Sequence, residues 1–176
     1  MKDVNAVSTS LPAIRLGARP SFASVAEAEL DAVHRYLLFL TGDRAVAEDL
    51  TGETFEKAFR AWRRFDPRRG TARAWLCRIA RRVALDHFRS EERRLRREER
   101  YARDVAGEEP GLGEGALASA LGELSPAERE VVALRVLLDL DGPTSARLLG
   151  ISQTACSTRL SRALKRLEEM MSDARV

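Results

Sequence analysis

Apolar residues recur at steps of three and four along most of this chain, the spacing that lines one face of an α-helix. Leu30, Val33, Tyr36/Leu37 and Leu40 form the first series, and Ser24-Val-Ala-Glu27 before it has the form of a capping box. Thr41-Gly42-Asp43 ends that helix and caps the next. Val46, Leu50, Phe55, Phe59 and Trp62 predict a second helix from about Arg44 to Arg64. Asp66-Pro-Arg-Arg-Gly70 reads as a turn. A third helix follows from about Ala72 into the arginine-rich nineties, where its apolar face fades.

The pattern then breaks. Gly107-Glu-Glu-Pro-Gly-Leu-Gly-Glu-Gly115 has the composition of a spacer, and no strand or lysine gives it the setting of a phosphate loop. Ser125-Pro-Ala-Glu128 is a second capping box, with proline at the first helical position. It opens a helix to about Leu138 that turns Val131, Val132, Leu134 and Leu138 inward. Two more helices follow, joined by a tight turn. Gly150 ends the first in a left-handed conformation that glycine takes without penalty. Ile151 is the turn's buried residue, and Ser152 caps the second helix. Leu160, Leu164 and Leu167 form that helix's apolar stripe. No strand signal or internal repeat interrupts the series, so the fold class is all-α. Its segments are a flexible tail (1–21), a helical domain (22–100), a linker (101–115) and a helix-turn-helix domain (116–172).

Composition sharpens this picture. Aromatic residues make up only 6% of the chain and charged residues 32%, which suits small helical modules. The net charge of +3 conceals a basic block: fifteen arginines face six acids between Arg60 and Arg100, whereas Asp104 to Glu123 is acidic and glycine-rich. The two cysteines, Cys77 and Cys156, imply neither a zinc site nor a disulfide framework, as expected in a reducing cytoplasm. No apolar run approaches the roughly 20 residues of a membrane span. His34 and His87 lie on helices beside no positioned nucleophile, so no catalytic, cofactor-binding or metal-ligating residue is expected.

Two constellations point to DNA. The helix after Ser152 carries the small polar residues Thr154, Ser157, Thr158 and Ser161 with the cations Arg159, Arg162, Lys165 and Arg166. Small residues let a helix approach base edges in a major groove, and cations neutralise phosphates. A plain helical hairpin is the competing reading. In Trp75–Arg89, Leu76, Ile79/Ala80 and Val83 form one stripe, and Arg78, Arg82 and Arg89 another. Cations beside aromatic rings suit single-stranded nucleic acid. An ordinary solvated arginine face gives the same spacing. Arg82 and Asp86 are spaced for a salt bridge of about 0.2–0.5 kcal/mol.

Taken together, these residues resemble the extracytoplasmic-function group of bacterial sigma-70 factors over roughly residues 22 to 170. Thr41-Gly-Asp-Arg-Ala-Val-Ala-Glu-Asp-Leu-Thr-Gly-Glu-Thr-Phe55 is similar to the family's core-polymerase-binding helix. Phe65 to Arg89 is similar to the segment that melts and reads the minus-ten element, and Leu121 onward to the minus-thirty-five-binding domain. The resemblance implies roles. Asp49 and Glu53 would meet the clamp helices of the polymerase β′ subunit, with Leu50 packing beneath. Arg68, Arg69, Thr71 and Arg73 would cradle a flipped minus-ten base, and Arg78, Arg81, Arg82 and Arg89 would hold the non-template strand. Ser157, Thr158, Ser161 and Arg162 would face minus-thirty-five bases, and Arg159 and Lys165 phosphates. Trp75 is open between core packing and a strand-separating wedge.

The implied partners are core RNA polymerase (β and β′ subunits), promoter DNA and an anti-sigma factor of the kind the family often uses, with no membrane insertion. Four departures from the family pattern point to an unusual promoter. Gly52 stands in place of glutamine, Arg82 in place of asparagine, and Ser157 in place of a cation. Asp141-Gly-Pro-Thr-Ser145 replaces an aromatic and acidic helix opening, and Pro143 fits only its first turn. Two alternatives compete: a stand-alone helix-turn-helix regulator, and a non-initiating decoy for an anti-sigma factor.

Overall fold

A computed structural model describes residues 20–101 and 120–173, and all regular structure in them is helical. Most of the sequence-assigned tail and linker lies outside those residues. The described residues form six α-helices: α1 (Phe22–Thr41), α2 (Arg44–Ala61), α3 (Ala72–Tyr101), α4 (Pro126–Val132), α5 (Gly142–Leu149) and α6 (Gln153–Asp173).

The cap of α1 lies three residues before the predicted one. Ser21 is the cap, its hydroxyl accepting from the Ser24 N–H at 3.1 Å. The earlier start brings Phe22 onto the rings of Phe59 and Trp62, 5.3 and 5.4 Å away. The joint to α2 follows the sequence reading. Gly42 is left-handed at φ 69°, its N–H reaching the Leu38 carbonyl at 2.9 Å, and Asp43 accepts from Val46 N–H at 3.0 Å. The α2 face toward the core is made of small residues, Ala47, Thr51, Thr54 and Ala58 beside Leu50. Thr51 and Thr54 donate to the carbonyls of Ala47 and Leu50 at 2.6 and 2.7 Å. Their buried hydroxyls are thus satisfied within the helix. Two predicted inward positions face outward instead: Leu30 is 47% and Phe59 66% exposed.

α2 runs into short 3-10 turns, Trp62–Arg64 and Pro67–Arg69, before α3. Trp62, Phe65 and Trp75 form an aromatic knot there, with ring centroids 4.8 to 5.7 Å apart. Trp75 is packed against the core in this arrangement. Each such ring pair is worth about 0.5–1.5 kcal/mol beyond its buried area.

In the carboxy-terminal half the capping box at Ser125 and Glu128 is complete. Arg129 gathers the carbonyls of Leu121, Gly122 and Leu124, closing the turn that leads into α4. α4 widens into a π-turn over Ala133–Leu137, and Leu138 N–H returns to the Ala133 carbonyl at 3.0 Å. The Arg135 guanidinium donates to the Leu140 carbonyl beyond it. Gly150 is left-handed at φ 69°, and Ser152 caps α6 by accepting from Ala155 N–H at 3.1 Å. Ile151 is half-buried. Ala163 takes the inward place expected of Leu164, which is 44% exposed.

One buried cluster runs through both halves. Val33, Tyr36 and Leu37 of α1 and Leu76, Cys77 and Val83 of α3 join Ala133, Leu134, Leu138, Leu140 and Leu148. Burial first, and then the Glu130 carboxylate, push the Tyr36 phenol well above its ordinary pKa. Two ion pairs flank this joint. Arg81 Nε meets Glu130 at 2.7 Å, with a second bond at 3.3 Å. Arg73 meets Glu29 at 2.7 Å and reaches the Leu138 carbonyl at 3.5 Å.

Candidate nucleic-acid interface

Three surfaces carry the predicted site residues. The first is the loop before α3. Asp66 caps its 3-10 turn, accepting from Arg68 N–H at 3.0 Å, and Thr71 caps α3 by accepting from Ala74 N–H at 3.2 Å. Gly70 between them has φ 151° and ψ 174°, a backbone region that side chains disfavour. Arg68 and Arg69 project from this short loop beside Arg64 and Arg78. They line a cavity of about 590 Å³ whose wall includes Phe65 and Trp75, and Thr144, Arg147 and Leu148 of α5 line its other side.

The eight residues expected at minus-ten DNA therefore divide. Arg68, Arg69, Thr71 and Arg78 gather at the cavity, and Arg82 is exposed further along α3. Arg73 and Arg81 are half-buried and held in the ion pairs with Glu29 and Glu130. Arg89 sits 3.5 Å from Asp86, so that carboxylate meets Arg89 rather than the expected Arg82. Arg64 and Arg147 were missed by the sequence reading. Arg64 adjoins the loop and could have been inferred, whereas Arg147 reaches the cavity only because α5 folds over it.

The second surface is α6. Thr154, Thr158, Ser161 and Lys165 are exposed at steps of four and three, so they share one outward face, with Ser157 and Arg162 exposed beside it. A shallow groove runs between this helix and the start of α4, lined by Ser125 and Glu128 opposite Thr154, Thr158, Arg159 and Arg162. Arg166 closes its end by pairing with Glu128 at 2.9 Å. Ser125 hydrogen bonding, ahead of the Arg166 charge, holds Glu128 below the usual carboxylate range. Lys165 lies 3.7 Å from Glu169, both largely exposed. Thr154 shares the outward face of Thr158 and Ser161, and its spacing of four before Thr158 is the signal that marks it.

The third surface is the outer side of α2. Asp49 and Glu53 are exposed one turn apart, and Glu53 also meets Lys57 at 2.6 Å. Leu50 is 5% exposed in the core, so it supports this face from beneath. Gly52 stands on the same face with nothing within 4 Å of the position a Cβ would take. Among the described residues, no three His, Cys, Asp or Glu side chains converge on a metal position, and no helix is long and apolar enough to cross a membrane.

The family model for sigma-70 region 2 matches residues 25–94, and that for sigma-70 region 4 matches residues 114–167. The ECF RNA polymerase sigma factor BldN of Streptomyces coelicolor is 34% identical over 167 residues, covering 89% of this chain and 62% of the relative. The chain thus spans less than two thirds of that relative's length. The RNA polymerase sigma factor CnrH of Cupriavidus metallidurans is 33% identical, covering 70% of this chain and 72% of that protein. Among solved structures, the sigma factor RpoE in complex with the anti-sigma factor NepR, from Bartonella quintana, superposes with a TM-score of 0.68 at 26% identity. That match covers 86% of this chain and 96% of the other. Both regions in order, and relatives of this extent, establish that the chain belongs to the extracytoplasmic-function group of the sigma-70 family of RNA polymerase sigma factors.

Proposed function

We propose that this chain binds core RNA polymerase, brings it to promoters with two spaced elements and captures unstacked minus-ten bases during initiation. It performs no covalent chemistry of its own and acts in the cytoplasm. The observation that carries the reading is the division of labour between two surfaces. An arginine-ringed loop with aromatic walls precedes α3, and a hydroxyl-and-cation face lies on α6. Phosphate neutralisation by the exposed arginines supplies salt-dependent affinity. Each base stacked on protein aromatics or guanidinium planes contributes about 1–3 kcal/mol, so capture itself drives local melting.

Residues 22–100 and 116–172 serve as the minus-ten and minus-thirty-five units. Asp49 and Glu53 face the polymerase clamp over Leu50. Arg68, Arg69, Thr71 and Arg78 take the flipped base, and Arg82 and Arg89 the displaced strand. Arg73 and Arg81 join them once released from Glu29 and Glu130. Ser157, Thr158, Ser161 and Arg162 read the minus-thirty-five bases, and Arg159 and Lys165 hold phosphates. An anti-sigma factor is a further partner, by analogy with the RpoE complex.

Run-off transcription with purified chain and core polymerase on a promoter library tests this. Discrete start sites sharing two spaced motifs are expected. Asp49→Arg combined with Glu53→Arg abolishes core binding and leaves duplex DNA binding intact. Core binding that survives the double substitution, or transcripts without shared motifs, overturns the reading.

A further inference from the structure

The joint between the two halves is neutralised on one side and not on the other. On one side Glu130 faces Arg81, and Glu29 with the Leu138 carbonyl holds Arg73. On the other side lies the cavity at the loop. Arg64, Arg68, Arg69 and Arg78 line it from the amino-terminal half, and Arg147 lines it from α5. Among the described residues, none of the five has a carboxylate within ion-pair distance. Asp66 also lines the cavity, but its carboxylate accepts from the Arg68 backbone N–H. Asp141 feels the Arg147 charge, yet its oxygens accept from the N–H and hydroxyl of Thr144. The Arg147 guanidinium itself donates to the Thr144 hydroxyl at 3.2 Å.

Five guanidiniums around one concave space repel each other, and closing the halves adds the fifth to the other four. A multivalent anion in the space reverses the sign of that contribution. The volume of about 590 Å³ is that of a small-molecule site, and planar guanidiniums match phosphate oxygens two at a time. We propose that this cavity is a polyphosphate site bridging the two halves, taking a short chain of phosphates, free or carried by a nucleoside. Trp75, half-buried at the cavity wall, supplies the apolar surface that a base would use. With the site filled, α5 is fastened over Arg68–Gly70, so the ligand opposes minus-ten capture. That consequence rests on the sigma reading above, whereas the site itself does not.

The test titrates the full chain with inorganic tripolyphosphate at constant ionic strength, following heat of binding and melting temperature. One saturable site and a raised melting temperature are expected. Arg147→Ala and Arg69→Ala each weaken binding about tenfold or more, as loss of a charge-assisted hydrogen bond does. Arg44→Ala, an equal loss of charge at the amino-terminal end of α2 and outside the cavity lining, leaves it unchanged. Non-saturable binding, or an Arg147→Ala chain that binds like the parent, overturns the proposal. A parallel arm with guanosine and adenosine triphosphates separates a nucleotide source from a plain one: tighter binding than tripolyphosphate assigns the nucleoside form, equal binding the free chain. A labelled minus-ten non-template strand then separates the two readings. A strand that binds and is displaced by tripolyphosphate supports both. A strand that binds with no polyphosphate site present removes the site and spares the sigma reading.

Discussion

Glu130→Ala is the substitution that most directly tests what holds the halves together. The Glu130 carboxylate takes two bonds from Arg81, and the two side chains are only 14% and 25% exposed. Fully exposed pairs contribute about 0–1 kcal/mol, and breaking a fully buried pair costs about 3–5 kcal/mol. This pair sits between those limits, so the substitution should destabilise the closed chain by about 2 kcal/mol. For a domain of this size that lowers the melting temperature by about 4–8 °C. A double-mutant cycle with Arg81→Ala separates the pair from side effects on Tyr36. Small-angle scattering on the same variants reads the opening as an increased radius of gyration. A coupling energy below about 0.5 kcal/mol would refute the reasoning, as would a loss of stability with an unchanged radius, since either places the closure in the apolar cluster alone.

Gly52→Ala should stabilise the chain by about 1 kcal/mol, because the site is an exposed helix interior with open space at Cβ; a lower melting temperature would contradict this. Cys77, whose thiol burial pushes up to about 12, and the buried Cys156 should resist thiol reagents at mild alkaline pH until the chain unfolds. Rapid labelling of the native chain would show the core around α3 to be open. Glu128 and Asp141 are both held below the ordinary carboxylate range, the first chiefly by Ser125 and the second by Thr144. Their stabilising contribution is therefore present above the unfolded carboxylate pKa and is lost as pH falls through the folded values. Asp141→Asn should flatten the acid limb of stability against pH, measured by urea midpoints between pH 3 and 6, values chosen around about 4, the ordinary carboxylate pKa.

Local chemistry is what the sequence displayed best. Thr41-Gly42-Asp43, the Ser125 box and the Gly150/Ser152 turn each satisfy their own backbone groups within a few residues, so their roles were legible without knowing the fold. Ser21 and Ser24 show the limit, since either hydroxyl can cap a helix and the packing of Phe22 on Phe59 and Trp62 decides between them. The same holds for Leu30, Phe59 and Leu164, whose spacing fits an inward stripe although neighbouring elements leave them outside. Among the site residues, Arg73 and Arg81 were indistinguishable from Arg78 and Arg82 by periodicity. Their partners lie 44 and 49 positions away, where no local pattern points. Arg147 joined the cavity through tertiary placement alone.

The shared apolar cluster also has a meaning in time. The seat formed by Val33, Tyr36 and Leu37 with α3 is complete once Tyr101 has been synthesised, but the Leu134-to-Leu148 surface that covers it comes last. At about 5–20 residues per second the ribosome needs about 2–10 s to supply it. For those seconds each nascent chain presents its seat bare. Any partner able to use that seat has its easiest access on the ribosome, before the molecule has had the chance to cover itself.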